Sequence, residues 1–415
     1  MLTLFEIIAL ILSISAVLSW INSTFVKLPH TIGLLVMALA TSFFLILLEA
    51  AFPDLGLTDA VQSAIGQIDF FETVMNGMLA FLLFAGALHV DLNLMRAQKW
   101  PIGLMATFGV VLSTFIVGTL FWLLAHFFGV PISYAWALVF GALISPTDPV
   151  AVLSLLKSIS IPDSLEAKIA GESLFNDGVG VVVFTIIVAV AVGADGGNLD
   201  PLHIAELFFV EAIGGAVLGM LVGYVVYRMM AAIDHDMVEI LLTLGLVAGV
   251  YAVCLRLHLS GPIAVVVAGL FIGNRGAERA MSEDTREALF DFWEMIDEIL
   301  NSVLFLLIGL EVLVISIDPS FAWIAVLSIP IVLFARLAAV SIPILTLSLG
   351  FAFSKGVIPV LTWGGVRGGI SVALALSLPT VGAKPLIMTA TYAVVIFSIV
   401  VQGLTIKEVV RRTVG

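Results

Sequence analysis

Long apolar runs separated by short polar loops dominate the chain. A helix that crosses a bilayer needs about 20 mostly apolar residues, and that length criterion predicts thirteen spans. Their approximate bounds are 4–20, 30–49, 73–90, 102–128, 133–156, 169–193, 203–227, 237–255, 259–273, 299–317, 321–349, 356–379 and 385–404. No polar stretch between them is long enough for an independent domain, so residues 1–415 are predicted to form a single membrane unit.

Residues 277–298 follow a different pattern. Ser282 is a suitable N-cap for a helix, and Leu289, Trp293 and Ile296 recur at helical spacing against an acidic face. The pattern predicts an amphipathic helix lying at the cytoplasmic surface of the membrane. A pH-sensing role for its carboxylates is the alternative.

The basic residues divide unevenly between the two sides of this layout. With the N-terminus outside, only Arg256 and Lys384 lie in outer loops, and Arg336 and Arg367 fall within apolar segments. The inner loops hold all the others: Lys27, Arg96, Lys99, Lys157, Lys168, Arg228, Arg275, Arg279, Arg286, Lys355, Lys407, Arg411 and Arg412. Cytoplasmic loops are enriched in Lys and Arg, so we expect a multi-pass protein of the cell membrane with a cytoplasmic C-terminus.

Composition narrows the class further. The chain is 61% hydrophobic and only 11% charged, which excludes a water-soluble globular protein. The formal net charge of −13 argues against a nucleic-acid partner. The single cysteine, Cys254, excludes a disulfide scaffold.

The span near 143–150 contains two prolines and an acid. Pro146 and Pro149 cannot both lie in an unbroken helix, because each lacks an N–H and collides with the preceding turn. The helix should therefore unwind near Thr147 and leave free carbonyls at mid-membrane, beside Asp148. Broken helices of this kind form ion sites in secondary transporters, although a proline kink capped by Asp148 explains the same residues.

A second polar group lies in the span at 169–193. Glu172, Ser173, Asn176 and Asp177 fall within one arc of a helix. They offer two carboxylates, a hydroxyl and an amide oxygen, and hard cations such as Na⁺ and Li⁺ require several oxygen ligands. A purely structural hydrogen-bond network is the alternative.

Arg336 lies too far from either end of its span to reach water, so it needs an anion. We expect Glu172 to be that anion. Asp177 is then left without a basic partner, and its charge must be neutralised by a proton or a metal cation. One carboxylate with two mutually exclusive occupants would support exchange through an alternating cavity.

Four glycines surround Arg367 in the run 364–369. They weaken the helix and predict a second interruption, in the twelfth of the thirteen spans. The first interruption, at the prolines, lies in the fifth span. The two breaks together fit an all-α, inverted-repeat transporter with discontinuous helices near 143–150 and 364–369. Close helix packing alone would also favour these glycines.

The run Gly-Glu-Ser-Leu-Phe-Asn-Asp-Gly at 171–178, with Ser-Pro-Thr-Asp-Pro-Val-Ala upstream and Gly-Gly-Val-Arg-Gly-Gly downstream, resembles the NhaP/NHE branch of the cation:proton antiporters. The resemblance extends over nearly the whole chain. It implies thirteen spans, a homodimer, and a core that moves against a dimerisation scaffold. On that basis the scaffold comprises roughly 1–100 and 203–317, and the ion-translocating core roughly 101–193 and 319–404.

The resemblance also implies residue roles. Asp177 resembles the shared proton and cation carrier, and Glu172 with Arg336 resembles a structural ion pair. The cation-binding residues implied are Asp177, Asn176, Ser173, Asp148 and Thr147, with Na⁺ held at Asp177, Ser173, Asp148 and the Thr147 carbonyl. The residues implied in gating or in the helix breaks are Pro146, Pro149 and Arg367.

Asn176, in place of a second Asp, resembles the electroneutral branch, so one-for-one Na⁺(Li⁺)/H⁺ exchange without a cofactor is expected. The transported partners would be monovalent cations and protons. Ala85 stands where relatives often carry Glu, which leaves K⁺/H⁺ exchange as the alternative. An intramembrane aspartyl protease is disfavoured because Asp148 and Asp177 lack its flanking patterns. An ion channel is disfavoured because a charged carrier site suits occlusion.

Overall fold

The structure, a computed structural model, describes residues 3–52, 66, 70–148, 152, 162–194, 201–314, 318–351 and 353–414. These residues are almost entirely helical, and the described ranges contain no strand. The helices are α1 (Leu4–Ile21), α2 (His30–Ala51), α3 (Glu72–Leu88), α4 (Leu92–Ala97), α5 (Lys99–Phe127), α6 (Tyr134–Ile144), α7 (Asp163–Ala194), α8 (Pro201–Met230), α9 (Asp236–Leu257), α10 (Gly261–Phe271), α11 (Glu283–Glu311), α12 (Ala322–Leu347), α13 (Val357–Trp363), α14 (Gly369–Leu376) and α15 (Lys384–Thr413).

The predicted all-α membrane fold is confirmed. Eight of the described helices are long and apolar enough to cross a membrane, and α3 and α6 are shorter apolar helices. Where the chain is described, each predicted span overlaps a helix: 259–273 overlaps α10, 299–317 overlaps α11, and 356–379 overlaps the pair α13 and α14. Of the predicted span 133–156, residues 149–151 and 153–156 lie outside the described residues. Large apolar side chains such as Phe5, Phe44 and Trp323 remain exposed on the outside of the bundle, as lipid contact requires.

The helices make most of their contacts within two groups. In the first, α5 packs on α6 and α12, α6 on α7, and α15 on α12 and α14. In the second, α10 packs on α3, α8 and α9, while α11 packs on α2 and α3. That one group moves against the other remains a prediction.

The structure differs from the sequence prediction at residues 277–298. Helix α11 begins after Ser282, whose hydroxyl accepts from the Thr285 N–H at 3.3 Å, and continues unbroken to Glu311. Trp293 is fully buried, and its Nε1 donates to Thr243 Oγ1 at 3.0 Å. Residues 283–298 are therefore the first half of a long helix, because their apolar stripe continues in phase with the span predicted at 299–317.

Both predicted helix breaks are confirmed. Helix α6 ends at Ile144 and non-helical backbone follows through Asp148; α13 ends at Trp363 and α14 begins only at Gly369. The breaks touch, because the Asp148 N–H donates to the Val366 carbonyl at 2.7 Å. Gly368 permits this approach, since a Cβ there would collide with the Asp148 side chain.

Close packing of α5 against α6 gives a stability prediction. A Cβ at Gly141 would overlap the Thr114 carbonyl oxygen, so Gly141→Ala should destabilise the fold by about 1–3 kcal/mol. The control is Gly245→Ala, where a Cβ meets nothing within 4 Å. We expect a clearly lower melting temperature only for Gly141→Ala in purified, detergent-solubilised protein; equal melting temperatures would contradict the packing described.

Candidate cation-exchange site

Helix α7 carries the polar group predicted from the sequence. Glu172, Ser173, Asn176 and Asp177 lie within two of its turns, and all four are buried, Asp177 being 6% exposed. The helix runs unbroken through them. They are therefore held on a rigid element beside the broken helix α6, against which α7 packs.

Hydrogen bonds join the first break to α7. Asn176 Nδ2 donates to Thr147 Oγ1 at 2.7 Å, and Asn176 Oδ1 accepts from the Thr147 N–H at 3.3 Å. The Thr147 hydroxyl also lies 3.1 Å from Ser173 Oγ. Because backbone at membrane depth needs a partner, Asn176 supplies one for the amide that the unwound chain exposes.

Arg367 holds the second break against the first. Its Nη1 donates to the carbonyls of Ser145 and Pro146 at 3.0 and 3.1 Å. These carbonyls follow the C-terminus of α6, where a positive charge is favourable. The side chain is 1% exposed, so its charge acts in a medium that screens it weakly.

Glu172 and Arg336 form a two-pronged ion pair. Arg336 Nη2 donates to Glu172 Oε2 at 2.9 Å, and Nη1 donates to Oε1. The Leu361 carbonyl accepts two further bonds from the same guanidinium, at 3.2 and 3.0 Å. The pair links α7, α12 and α13, and it satisfies the charge of Glu172 within the protein.

A cavity of about 940 Å³ reaches Asp177 from one end of the bundle. Asp163, Glu166 and Glu294 are exposed at its mouth, while Asp177 is buried. The acids that line it are Asp91, Asp148, Asp163, Glu166, Asp177, Glu294, Asp297 and Glu298. Acids outnumber the lysines Lys27 and Lys407 in the cavity wall, and such an excess of negative charge concentrates cations.

Comparison with known proteins identifies the family. The profile described as "Sodium/hydrogen exchanger, transmembrane" matches residues 11–412. The chain belongs to this sodium/hydrogen exchanger family.

Relatives in the family match over most of their length. The Na(+)/H(+) antiporter NhaP of Pseudomonas aeruginosa is 47% identical over 98% of this chain and 96% of that protein. The Na(+)/H(+) antiporter NhaH of Halobacillus aidingensis is 35% identical over 86% of this chain and 89% of that protein. The sodium proton antiporter MjNhaP1 of Methanocaldococcus jannaschii, solved at pH 8, shares the fold with a TM-score of 0.76 at 19% identity, over 98% and 97% of the two chains.

Within this exchanger fold, the predicted site residues separate into two sets. Asp148 and Asp177 line the cavity. Thr147, Ser173 and Asn176 do not line it and are bonded to one another. Pro146 lies in the first break; Pro149 lies outside the described residues.

Several residues near the site escaped the sequence analysis. Glu294, Asp297 and Glu298 had been assigned to a surface helix, yet they line the cavity. Ser398 and Gln402 bond to the second break. The sequence does contain a signal for Ser398 and Gln402, because two polar residues four positions apart fall on one face of an apolar span.

The described residues contain no group of three or more His, Cys, Asp or Glu side chains that could hold a metal ion.

The Glu172–Arg336 pair gives a second stability prediction. Arg336→Met leaves a buried carboxylate unpaired, which costs about 3–5 kcal/mol, whereas Glu172→Gln combined with Arg336→Met should lose less. Ser328→Ala is the control, since that buried hydroxyl donates only to Ile324 O on its own helix. Thermal unfolding in detergent measures each; a double variant no more stable than Arg336→Met would count against a charge-pairing role.

Proposed function

We propose that the protein is an electroneutral Na⁺(Li⁺)/H⁺ antiporter in which Asp177 binds either one cation or one proton. The observation that carries the proposal is the contrast between two neighbouring acids on α7. Glu172 is paired with Arg336, whereas no basic side chain among the described residues forms an ion pair with Asp177. Asp177 lies at a cavity that ions can enter, so solution must supply its counter-charge.

Competition for one carboxylate gives the exchange. A proton neutralises Asp177 and removes the negative charge that binds a cation; a bound cation in turn disfavours protonation. Because either occupant brings one positive charge, the site carries the same charge in both directions of transport. The expected stoichiometry is therefore one cation for one proton.

Oxygen atoms around Asp177 are the proposed remaining ligands. Asp148 shares the cavity wall, and Thr147, Ser173 and Asn176 lie at the adjacent break. Their polar atoms bond to one another in the present structure. Cation binding would replace some of these hydrogen bonds by ion–oxygen contacts at small net cost.

The names of two relatives support Na⁺ as the cation, since the Pseudomonas and Halobacillus proteins are both Na(+)/H(+) antiporters. Alternating access is proposed from the cavity's opening at one end of the bundle and from the two groups of helices. Lys27 and Lys407 line this cavity. Both belong to the basic residues that the sequence places on the inner side, which supports a cytoplasmic opening, an external N-terminus and a cytoplasmic C-terminus.

K⁺/H⁺ exchange is the second candidate. Ala85 lines the cavity, at the position where an acidic residue would add a hard ligand for Na⁺. We also propose a homodimer, as the family resemblance implies. Exposed apolar side chains on scaffold helix α8, such as Phe209, Ile213 and Leu221, are available to a second copy or to lipid.

Asp177→Asn should abolish exchange, because an amide neither releases a proton at ordinary pH nor binds a cation as a carboxylate does. The assay is the Na⁺-induced recovery of a pH-sensitive dye in proteoliposomes. Asp291→Asn is the control, since that acid is exposed and does not line the cavity. Exchange at the wild-type rate in Asp177→Asn would refute the proposal.

Stoichiometry and selectivity are tested in the same vesicles. A K⁺ gradient with valinomycin imposes a membrane potential, and we expect the Na⁺/H⁺ rate to be unchanged when its sign is reversed. Potential-dependent rates would mean that unequal charges are exchanged. Replacing Na⁺ by Li⁺ should preserve activity and K⁺ should not; a response to K⁺ of equal size would favour the second candidate.

A further inference from the structure

Ser398 and Gln402 are polar residues buried inside the last membrane helix, with exposures of 0% and 3%. They bound a π-helical turn, Ser398–Gln402, within α15. Such turns insert a residue into a helix and are frequent at functional sites. This one is among five in the described part of the chain. Nothing in the cavity geometry requires this distortion, since neither residue lines the cavity.

A continuous chain of hydrogen bonds joins this turn to both ends of the second break. The Arg367 N–H donates to Ser398 Oγ at 2.9 Å, and the Ser398 hydroxyl donates to Gln402 Oε1 at 2.6 Å. Gln402 Nε2 then donates to the Trp363 carbonyl at 2.9 Å. Trp363 ends α13 and Arg367 lies just before α14, so one side-chain pair spans the break.

The second break also holds the first break in position. Arg367 contacts the carbonyls of Ser145 and Pro146 through its side chain, and the neighbouring Val366 carbonyl accepts the Asp148 N–H at 2.7 Å. A shift of the 364–368 backbone would therefore shift the backbone of Asp148, a residue that lines the cavity. Ser398 and Gln402 are thus connected to the cavity wall through the three hydrogen bonds between the breaks, although neither residue lines the cavity.

We infer that Ser398 and Gln402 are positioning residues for cation exchange, which hold the crossed breaks in the geometry that binds the cation. The inference rests on the proposed function. The pair lies at the two ends of the π-helical turn. Without the pair, the freed N–H and carbonyl at membrane depth would draw the break into other conformations.

A positioning role predicts a specific kinetic signature. If only a fraction of the molecules holds the binding geometry, the apparent affinity for the cation falls in proportion to that fraction. The KM for the cation rises, while the rate at saturating cation changes little. A role in folding alone would lower the amount of active protein and leave KM unchanged.

The experiment compares Ser398→Ala, Gln402→Met and the double variant in proteoliposomes, with rates divided by the amount of folded protein. Thr391→Val is the matched control, because that buried hydroxyl donates only to Ile387 O within α15. We expect KM to rise roughly three- to tenfold in each single variant, which is the range expected from the loss of one hydrogen bond. Because both residues belong to one chain of bonds, the double variant should be little worse than either.

Two further variants keep the test decisive. Gln402→Leu removes both the acceptor for Ser398 and the donor to Trp363, so it should raise KM as Gln402→Met does and keeps the comparison if Gln402→Met folds poorly. Ser398→Thr keeps the hydroxyl and should restore a KM close to that of the wild type. An unchanged KM in Ser398→Ala and in the folded Gln402 variants, or effects that multiply in the double variant, would overturn the inference.

The behaviour of the wild type distinguishes a failure of the proposed function from a failure of the positioning role. All variants are assayed with whichever cation the wild type exchanges, so selectivity for K⁺ leaves the comparison intact. Cation-dependent thermal stabilisation gives a second measure of affinity that needs no transport. A wild type without exchange refutes the antiport proposal, whereas normal exchange with unshifted variants refutes only the positioning role.

Discussion

Two unwound stretches of backbone cross inside the helix bundle, and every polar group that they expose must find a partner without water. The remaining features of the site follow from this requirement. The side chain of Asn176 accepts a hydrogen bond from the amide of Thr147. Arg367 donates to the carbonyls of Ser145 and Pro146. The Val366 carbonyl accepts from the amide of Asp148. A helix pair without breaks would need none of these side chains.

The acids at and beside the cavity lie in three environments with different consequences. Those at the cavity mouth are exposed and attract cations without binding one tightly. Glu172 is buried and paired with Arg336, so its charge serves the fold. Asp177 is buried at the cavity, where we propose that it binds either a cation or a proton. The bulk net charge of −13 does not distinguish these environments.

Much of the architecture was predictable from the sequence because it rests on local rules. The lengths of apolar runs predict the spans, and Pro146 and the glycines of 364–369 predict the breaks. The partnership of Glu172 and Arg336 follows from the cost of leaving either charge alone. Each of these arguments uses a property that a residue keeps in any fold.

Other features depend on which helices meet, and local patterns do not carry that information. The segment 283–298 has the amphipathic pattern of a surface helix, yet three of its acids, Glu294, Asp297 and Glu298, line the cavity. Ser398 and Gln402 gain their partners only because α15 passes the second break. Asn176 was predicted to face a cation, and its bonds to Thr147 arise from the packing of α6 against α7.

Gly368 has a broader consequence for how such a site can be tuned. Its missing side chain lets the backbone of one break rest directly against Asp148, so main-chain dimensions fix the spacing at the crossing. Substitutions cannot adjust that spacing in small steps, as they can where two side chains meet. A change of preferred ion is more accessible on the cavity wall, where positions such as Ala85 have room to alter the ligands while the crossing keeps its shape.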